Sequence, residues 1–327
     1  MARVADHESP SEAYGAGSVE PRQIPLRGWL RILRRVIRRV VDDKFSLYSA
    51  AVAFFAVLSI APVLLTALSV YGAINTPAQA MDQLSGLVEL MPPTLAELVA
   101  DQLVSITAAS THLLTVRGLL ALAVALGTAT TATTFLIDAL TVAYREQETR
   151  GMLRRSVLAL TFVFGGALVI GAVITASTVV SQVLSDDPSW LRVPLATGIW
   201  IGLAALVASC LAVLYRFAPD RQGRARWGWI SIGATATTAL WLAASAGLFL
   251  YVRGLGTYER TYGSLAGVAI SMLWLWLTVL LIILGAAFNA ETERQTARDS
   301  TVGAERPPGQ RGAVVADDVP PHPEDES

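Results

Sequence analysis

Residues 47–71 read LYSAAVAFFAVLSIAPVLLTALSVY. No Lys, Arg, Asp or Glu interrupts this run, and it exceeds the roughly 20 apolar residues that cross a bilayer core as helix. Five further runs are equally free of these residues and have at least that length: residues 118–137, 156–183, 193–214, 229–252 and 263–288. Each is continuously apolar rather than alternating, so helices are expected and a β-barrel is not. The expected fold is therefore all-α, an integral membrane bundle of six spans with amphipathic interfacial helices. Composition agrees, since 53% of the residues are hydrophobic and 16% charged, against about 25% charged in an ordinary soluble domain.

Between the spans the basic residues are segregated. Residues 22–44 carry eight of them, from Arg22 to Lys44, whereas residues 72–115 carry none. Arg145, Arg150, Arg154 and Arg155 follow the second span, and Arg216, Arg221, Arg224 and Arg226 follow the fourth. The alternate loops hold only Arg192, and then Arg253 and Arg260, while four arginines lie beyond the sixth span. Positive-inside logic places both termini in the cytoplasm of a bacterial cell, with the chain in the inner membrane. The polar, partly acidic start lacks the basic-then-apolar pattern of a cleavable signal peptide.

Residues 1–23 and 299–327 are polar and Pro/Gly-punctuated, and composition predicts disordered tails around a membrane domain of residues 24–298. Within residues 27–41, Trp29, Leu33, Val36, Ile37 and Val40 recur at helical spacing among six arginines. This pattern predicts a helix lying in the membrane interface, its arginines at anionic lipid headgroups. The basic-poor segment 72–115 holds two amphipathic patterns separated by Pro92-Pro93, the second opening on Thr94-Leu95-Ala96-Glu97, a capping-box sequence.

Sites of chemistry are sparse. His7, His112 and His322 lie far apart, and the lone Cys210 sits in an apolar run, so neither a metal site nor a disulfide is expected. No phosphate-binding glycine loop is present, and no cofactor or nucleic-acid partner is expected. The remaining candidates are polar or conformationally special residues within spans. Pro62, with Ser59 one turn earlier and placed to satisfy a freed carbonyl, marks either a gating kink or a static one. Thr131, Thr134 and Asp138 belong to a polar stripe ending at Arg145; it reads as helix–helix glue or a cavity lining, with Arg145 or Arg216 to pair with Asp138. Tyr258, Tyr262, Gly263, Ser264 and Gly267 suit either close helix packing or an entrance. The indole of Trp274 needs a partner inside the last span. Glu291 and Glu293, just past that span, are expected to be solvated. Self-association and envelope-protein partners stay open.

Residues 49–62 (SAAVAFFAVLSIAP), 214–219 (LYRFAP), and Tyr262-Gly263-Ser264-Leu265-Ala266-Gly267 followed by Trp274 and residues 285–291 (GAAFNAE) together resemble the YihY/virulence factor BrkB family. The resemblance covers roughly residues 30–295 and adds Gly285 and Asn289 to the packing or entrance candidates. The family usually has a Glu where this chain has Ala287, so a role for that carboxylate does not transfer. The resemblance implies a bacterial inner-membrane protein concerned with envelope integrity and movement of molecules, an amphipathic or lipidic one in our reading. Some members carry an old ribonuclease label, but no cluster of carboxylates or histidines here suits metal-assisted phosphodiester hydrolysis. A membrane scaffold is the competing expectation, and an enzyme is not expected.

Overall fold

A computed structural model describes residues 14–74, 111–185, 189–254 and 266–318. All regular elements among them are helical. After a 3-10 turn at Pro21–Gln23 come α1 (Leu26–Asp42), α2 (Phe45–Ile74), α3 (Thr111–Ala143), α4 (Met152–Ser185), α5 (Ser189–Phe217), α6 (Trp227–Gly254), α7 (Ala266–Glu293) and the one-turn α8 (Val314–Asp317). Within α2 to α7 lie six segments long and apolar enough to cross a membrane, namely Phe45–Thr66, Val116–Ala143, Met152–Val173, Thr197–Phe217, Trp227–Val252 and Gly267–Glu293.

The chain divides into two compact units. One comprises residues 1–53 and 133–327, the other residues 54–132. In the first, α6 packs along both α5 and α7, and α1 lies against α7. In the second, Pro62 stands inside α2. Ser59 does not bond the Leu58 carbonyl that this proline frees; its Oγ donates to the Ala56 carbonyl at 2.7 Å, and Thr66 donates to the carbonyl of Pro62 at 2.8 Å. Hydroxyls bonding back into their own helix are a common way to keep such a segment satisfied in an apolar medium.

Helix α1 departs from the single apolar face read from its sequence. Gly28, Ile32, Val36 and Arg39 are buried, whereas Leu26, Leu30, Leu33, Ile37 and Val41 form a second, exposed apolar stripe. Val36 thus faces the protein rather than its surroundings. Trp29 stacks on Phe288 of α7, ring centroids 5.6 Å apart. The turn into α2 passes through Lys44 at φ 55°, and the turn that follows α3 passes through Arg145 at φ 59°. Both are left-handed positions where a non-glycine residue costs about 1 kcal/mol, and each ends its helix abruptly.

The segment after α7 also differs from the expected solvated tail. Residues 294–318 fold back over the helix ends. Ala225 and Thr301 form an isolated antiparallel bridge, flanked by hydrogen bonds from Arg226 N to Ser300 O and from Val302 N to Arg224 O. The expected amphipathic helices fall largely in residues 75–110, outside the described residues.

Candidate functional site

Helices α6 and α7 meet along a polar seam that steps through the apolar layer about one turn at a time. At one end, Asn289 of α7 accepts from the Gly233 N–H at 2.8 Å and donates to the Ile230 carbonyl at 3.1 Å. One turn on, the Tyr215 hydroxyl donates to the Ile282 carbonyl at 2.9 Å and pairs with Thr237 at 3.1 Å. Beyond these, Trp241 Nε1 donates to Thr278 Oγ1 at 3.1 Å, and Trp274 Nε1 to Ser245 Oγ at 3.2 Å. Gly233, Thr237, Trp241 and Ser245 are spaced by four, so they share one face of α6. Small residues make the approach close. A Cβ on Gly285 would lie 1.8 Å from Thr237 Oγ1, and one on Gly233 2.3 Å from Asn289 Oδ1.

The seam changes character along its length. Asn289, Tyr215 and Thr237 are buried, whereas Trp274 is 36% exposed on the outer surface of its span. Its neighbour Trp276 donates to the Ser46 carbonyl at 3.2 Å. Indole N–H groups thus meet oxygens on a surface covered largely by apolar side chains.

At the Asn289 end the seam runs into a charged hub that sequence reasoning missed. Glu291 and Glu293 are fully buried, contrary to the solvated positions expected. Glu291 accepts from Arg35 at 2.7 Å, Arg145 at 2.8 Å and Arg294 at 3.1 Å, with Arg39 at 3.5 Å. Glu293 accepts from Arg221, which is itself buried, at 2.9 Å. One carboxylate therefore joins α1, the α3 terminus and α7. Two further carboxylates offset the positive excess, Asp43 against Arg39 and Asp318 against Arg294, both at 2.6 Å. Burial pushes the Arg39 guanidinium below its usual range, with Asp43 and Glu291 opposing the shift. For Arg221 burial acts the same way, but Glu293 outweighs it and the net shift is upward.

Asp138 pairs with neither of its expected partners. Its carboxylate takes the Arg155 guanidinium, from the first turn of α4. Arg145 is committed to Glu291, while Arg216 donates to the Ala225 carbonyl and lies 4.3 Å from the Trp227 ring. The antiparallel return from α3 to α4 brings positions 138 and 155 together, a proximity that spacing along one helix does not reveal. Elsewhere on the stripe, Thr131 donates to the Gly127 carbonyl of its own helix at 2.8 Å, and Thr134 is half-buried. Gly267 stands open, with nothing within 4 Å of a Cβ placed there, so the described residues form no close contact at it. Tyr258, Tyr262, Gly263 and Ser264 lie outside the described residues.

The C-terminal segment closes over this charged end. Arg311 is buried and donates to the carbonyls of Ala297, Arg298, Arg306 and Ala316 at 2.6 to 3.4 Å. Val314 N–H reaches Glu146 at 2.9 Å. A cavity of about 740 Å³ remains between this segment and the loops at 145–149 and 220–222. It is lined by Thr149, Asp220 and Asp317 among others and by Arg145, the last residue of the polar stripe, but not by Thr131, Thr134 or Asp138. Burial raises the Asp299 carboxyl, but donation from the Thr301 hydroxyl and N–H and from the Arg306 N–H outweighs it and holds the carboxyl below its usual range. Such a group stabilises fully above its unfolded value of about 3.9, and the contribution is lost as pH falls through the folded value. Hydrogen exchange in residues 297–318, corrected for intrinsic rates, is therefore expected to be slow at pH 7 and to quicken below about pH 4. Arg311→Ala, which orphans several buried carbonyls, is expected to quicken it already at pH 7.

Among the described residues, no three His, Cys, Asp or Glu side chains are grouped as metal ligands. The virulence factor BrkB family model matches residues 36–309. A UPF0761 membrane protein of Ralstonia nicotianae is 27% identical over 276 residues, 81% of this chain and 60% of that protein. Another from Delftia acidovorans is 25% identical over 87% of this chain and 66% of its own length. The chain thus spans less than two thirds of these relatives. A Bacillus subtilis protein named putative ribonuclease-like protein YfkH is 27% identical over 80% of this chain and 94% of its own length. No solved structure matches. The match runs from α1 through the six apolar helices and the charged hub into the C-terminal segment, and by it this chain is a membrane protein of the virulence factor BrkB family.

Proposed function

We propose that the protein resides in a bacterial inner membrane with both termini in the cytoplasm, where it moves an amphipathic or lipidic molecule and so serves envelope integrity. The observation that carries this reading is the outer end of the α6–α7 seam. There the half-exposed Trp274 holds Ser245 at 3.2 Å on a largely apolar surface. The indole N–H is given to Ser245, whose hydroxyl keeps its own proton to donate to a polar headgroup travelling through an apolar layer, where water cannot supply such a bond. Orientation rests on the arginines, gathered at the hub and its loops. Phosphodiester hydrolysis, suggested by the name of the B. subtilis relative, would require acid–base or metal chemistry, and the ionised groups of the hub are instead consumed in mutual ion pairs.

The test is reconstitution into vesicles with a fluorescent phospholipid and an impermeant quencher. Vesicles holding the protein are expected to expose inner-leaflet lipid faster than empty ones, and Trp274→Phe with Ser245→Ala to slow this several-fold. Rates equal to those of empty vesicles would overturn the reading. They would favour instead a membrane scaffold, to which the folded C-terminal segment and its cavity would offer a docking platform for other envelope proteins.

A further inference from the structure

We propose that α1 is a membrane-seated helix that reads anionic lipid headgroups with one stripe and anchors in acyl chains with a second, while its third face grips the bundle. The three faces are separate. Leu26, Leu30, Leu33, Ile37 and Val41 recur at steps of four, three, four and four, and are between 48% and 78% exposed. Beside them run Arg27, Arg34 and Arg38, exposed and without a carboxylate partner among the described residues. On the opposite side Ile32, Val36 and Arg39 are buried and Arg35 holds Glu291. An amphipathic helix needs only two faces to dock on a protein or to lie on a bilayer; this one has a face for each.

The occupant of the exposed faces is the bilayer itself. Helix α1 ends two residues before α2, whose first turn already begins a membrane-length apolar segment, so α1 sits where acyl chains give way to headgroups. Met152 and Leu153, opening α4, are 87% and 78% exposed at the same end of the bundle, and Trp227, opening α6, is 50% exposed. All three are large apolar side chains exposed at the starts of their helices. Unpaired arginines flanking such a stripe are complementary to phosphate-bearing anionic lipids. Through Arg35 and Arg39 the helix is bonded to the hub, so its seating in the leaflet bears directly on the end of α7. None of this requires lipid movement; a protein that moves nothing would seat α1 in the same way.

Single cysteines at Leu30 and Ile37, introduced into the full chain carrying Cys210→Ala and spin-labelled in nanodiscs, test the anchoring stripe. Oxygen dissolved in the acyl layer is expected to reach both labels, and a water-soluble nickel reagent to reach neither. Access by the nickel reagent, or protection from both reagents as beneath a second protein, would overturn the proposal. For the basic stripe, Arg27→Gln with Arg34→Gln and Arg38→Gln disturbs no ion pair, so folding should be retained. Preference for phosphatidylglycerol over phosphatidylcholine, read as lipid retained in native mass spectrometry, is expected to fall about fivefold per arginine removed. An unchanged preference in a folded triple variant would show that these arginines do not read headgroups.

Discussion

Glu291→Ala is expected to be the most damaging single substitution outside the apolar core, costing about 3–5 kcal/mol, as when one partner of a buried ion pair is removed. The carboxylate is fully buried and contacts four guanidinium groups from three parts of the fold. Without it, Arg35 and Arg145 lose their only ion-pair partner among the described residues, and like charges face one another out of water. Because Arg35 and Arg39 belong to α1, that helix should loosen from α7 before the spans separate. Glu291→Gln keeps an acceptor oxygen and should cost less. Thermal unfolding in detergent, with hydrogen exchange across residues 26–42, reads both effects. A shift corresponding to less than about 1 kcal/mol for Glu291→Ala would mean that the hub is solvated and its pairs are weak, as surface pairs are.

Gly285→Ala is the second large effect expected. The added methyl would lie 1.8 Å from Thr237 Oγ1 and 2.4 Å from the Tyr215 hydroxyl. Relief requires those side chains to turn away, which breaks the Tyr215–Thr237 contact and exposes the Ile282 carbonyl to an apolar layer. Overpacking costs about 1–3 kcal/mol, and a lost hydrogen bond adds about 1 kcal/mol. The distinguishing control is Thr237→Ala in the same chain, which removes the clashing hydroxyl and should recover part of the loss. If Gly285→Ala were neutral, α6 and α7 would not be as close as the seam requires.

The parts of the fold governed by solvent were legible from composition. Six charge-free runs became six helices because an apolar layer leaves the backbone no other way to satisfy its hydrogen bonds. Helix ends were less legible. Helices α3 and α7 continue to Ala143 and Glu293, past the apolar runs that ended at 137 and 288, because a helix does not stop where hydropathy does. The hub was invisible for a related reason. Glu291 and Glu293 follow an apolar run and look solvated, and what buries them is arginines 256 and 72 positions away in the chain. Only the GAAFNAE motif hinted at it, since Gly285, Asn289 and Glu291 turn out to be one packing, one helix-bridging and one ion-pairing residue within two turns of α7. The tail at 299–318 misled because Pro, Gly and Asp signal disorder by composition, yet here Asp299, Asp317 and Arg311 satisfy backbone groups within a tight, self-bonded fold.

The central claim is that the six helices cross the membrane with the arginine hub on the cytoplasmic side. Cysteine labelling in intact cells tests it most directly, in a chain carrying Cys210→Ala. Single cysteines would replace Gln147 and Glu305 near the hub and Ser189 at the opposite end of α5. An impermeant maleimide is expected to modify position 189 in intact cells, and positions 147 and 305 only after the membrane is opened. Labelling of 147 and 305 in intact cells, with 189 protected until lysis, would contradict the account.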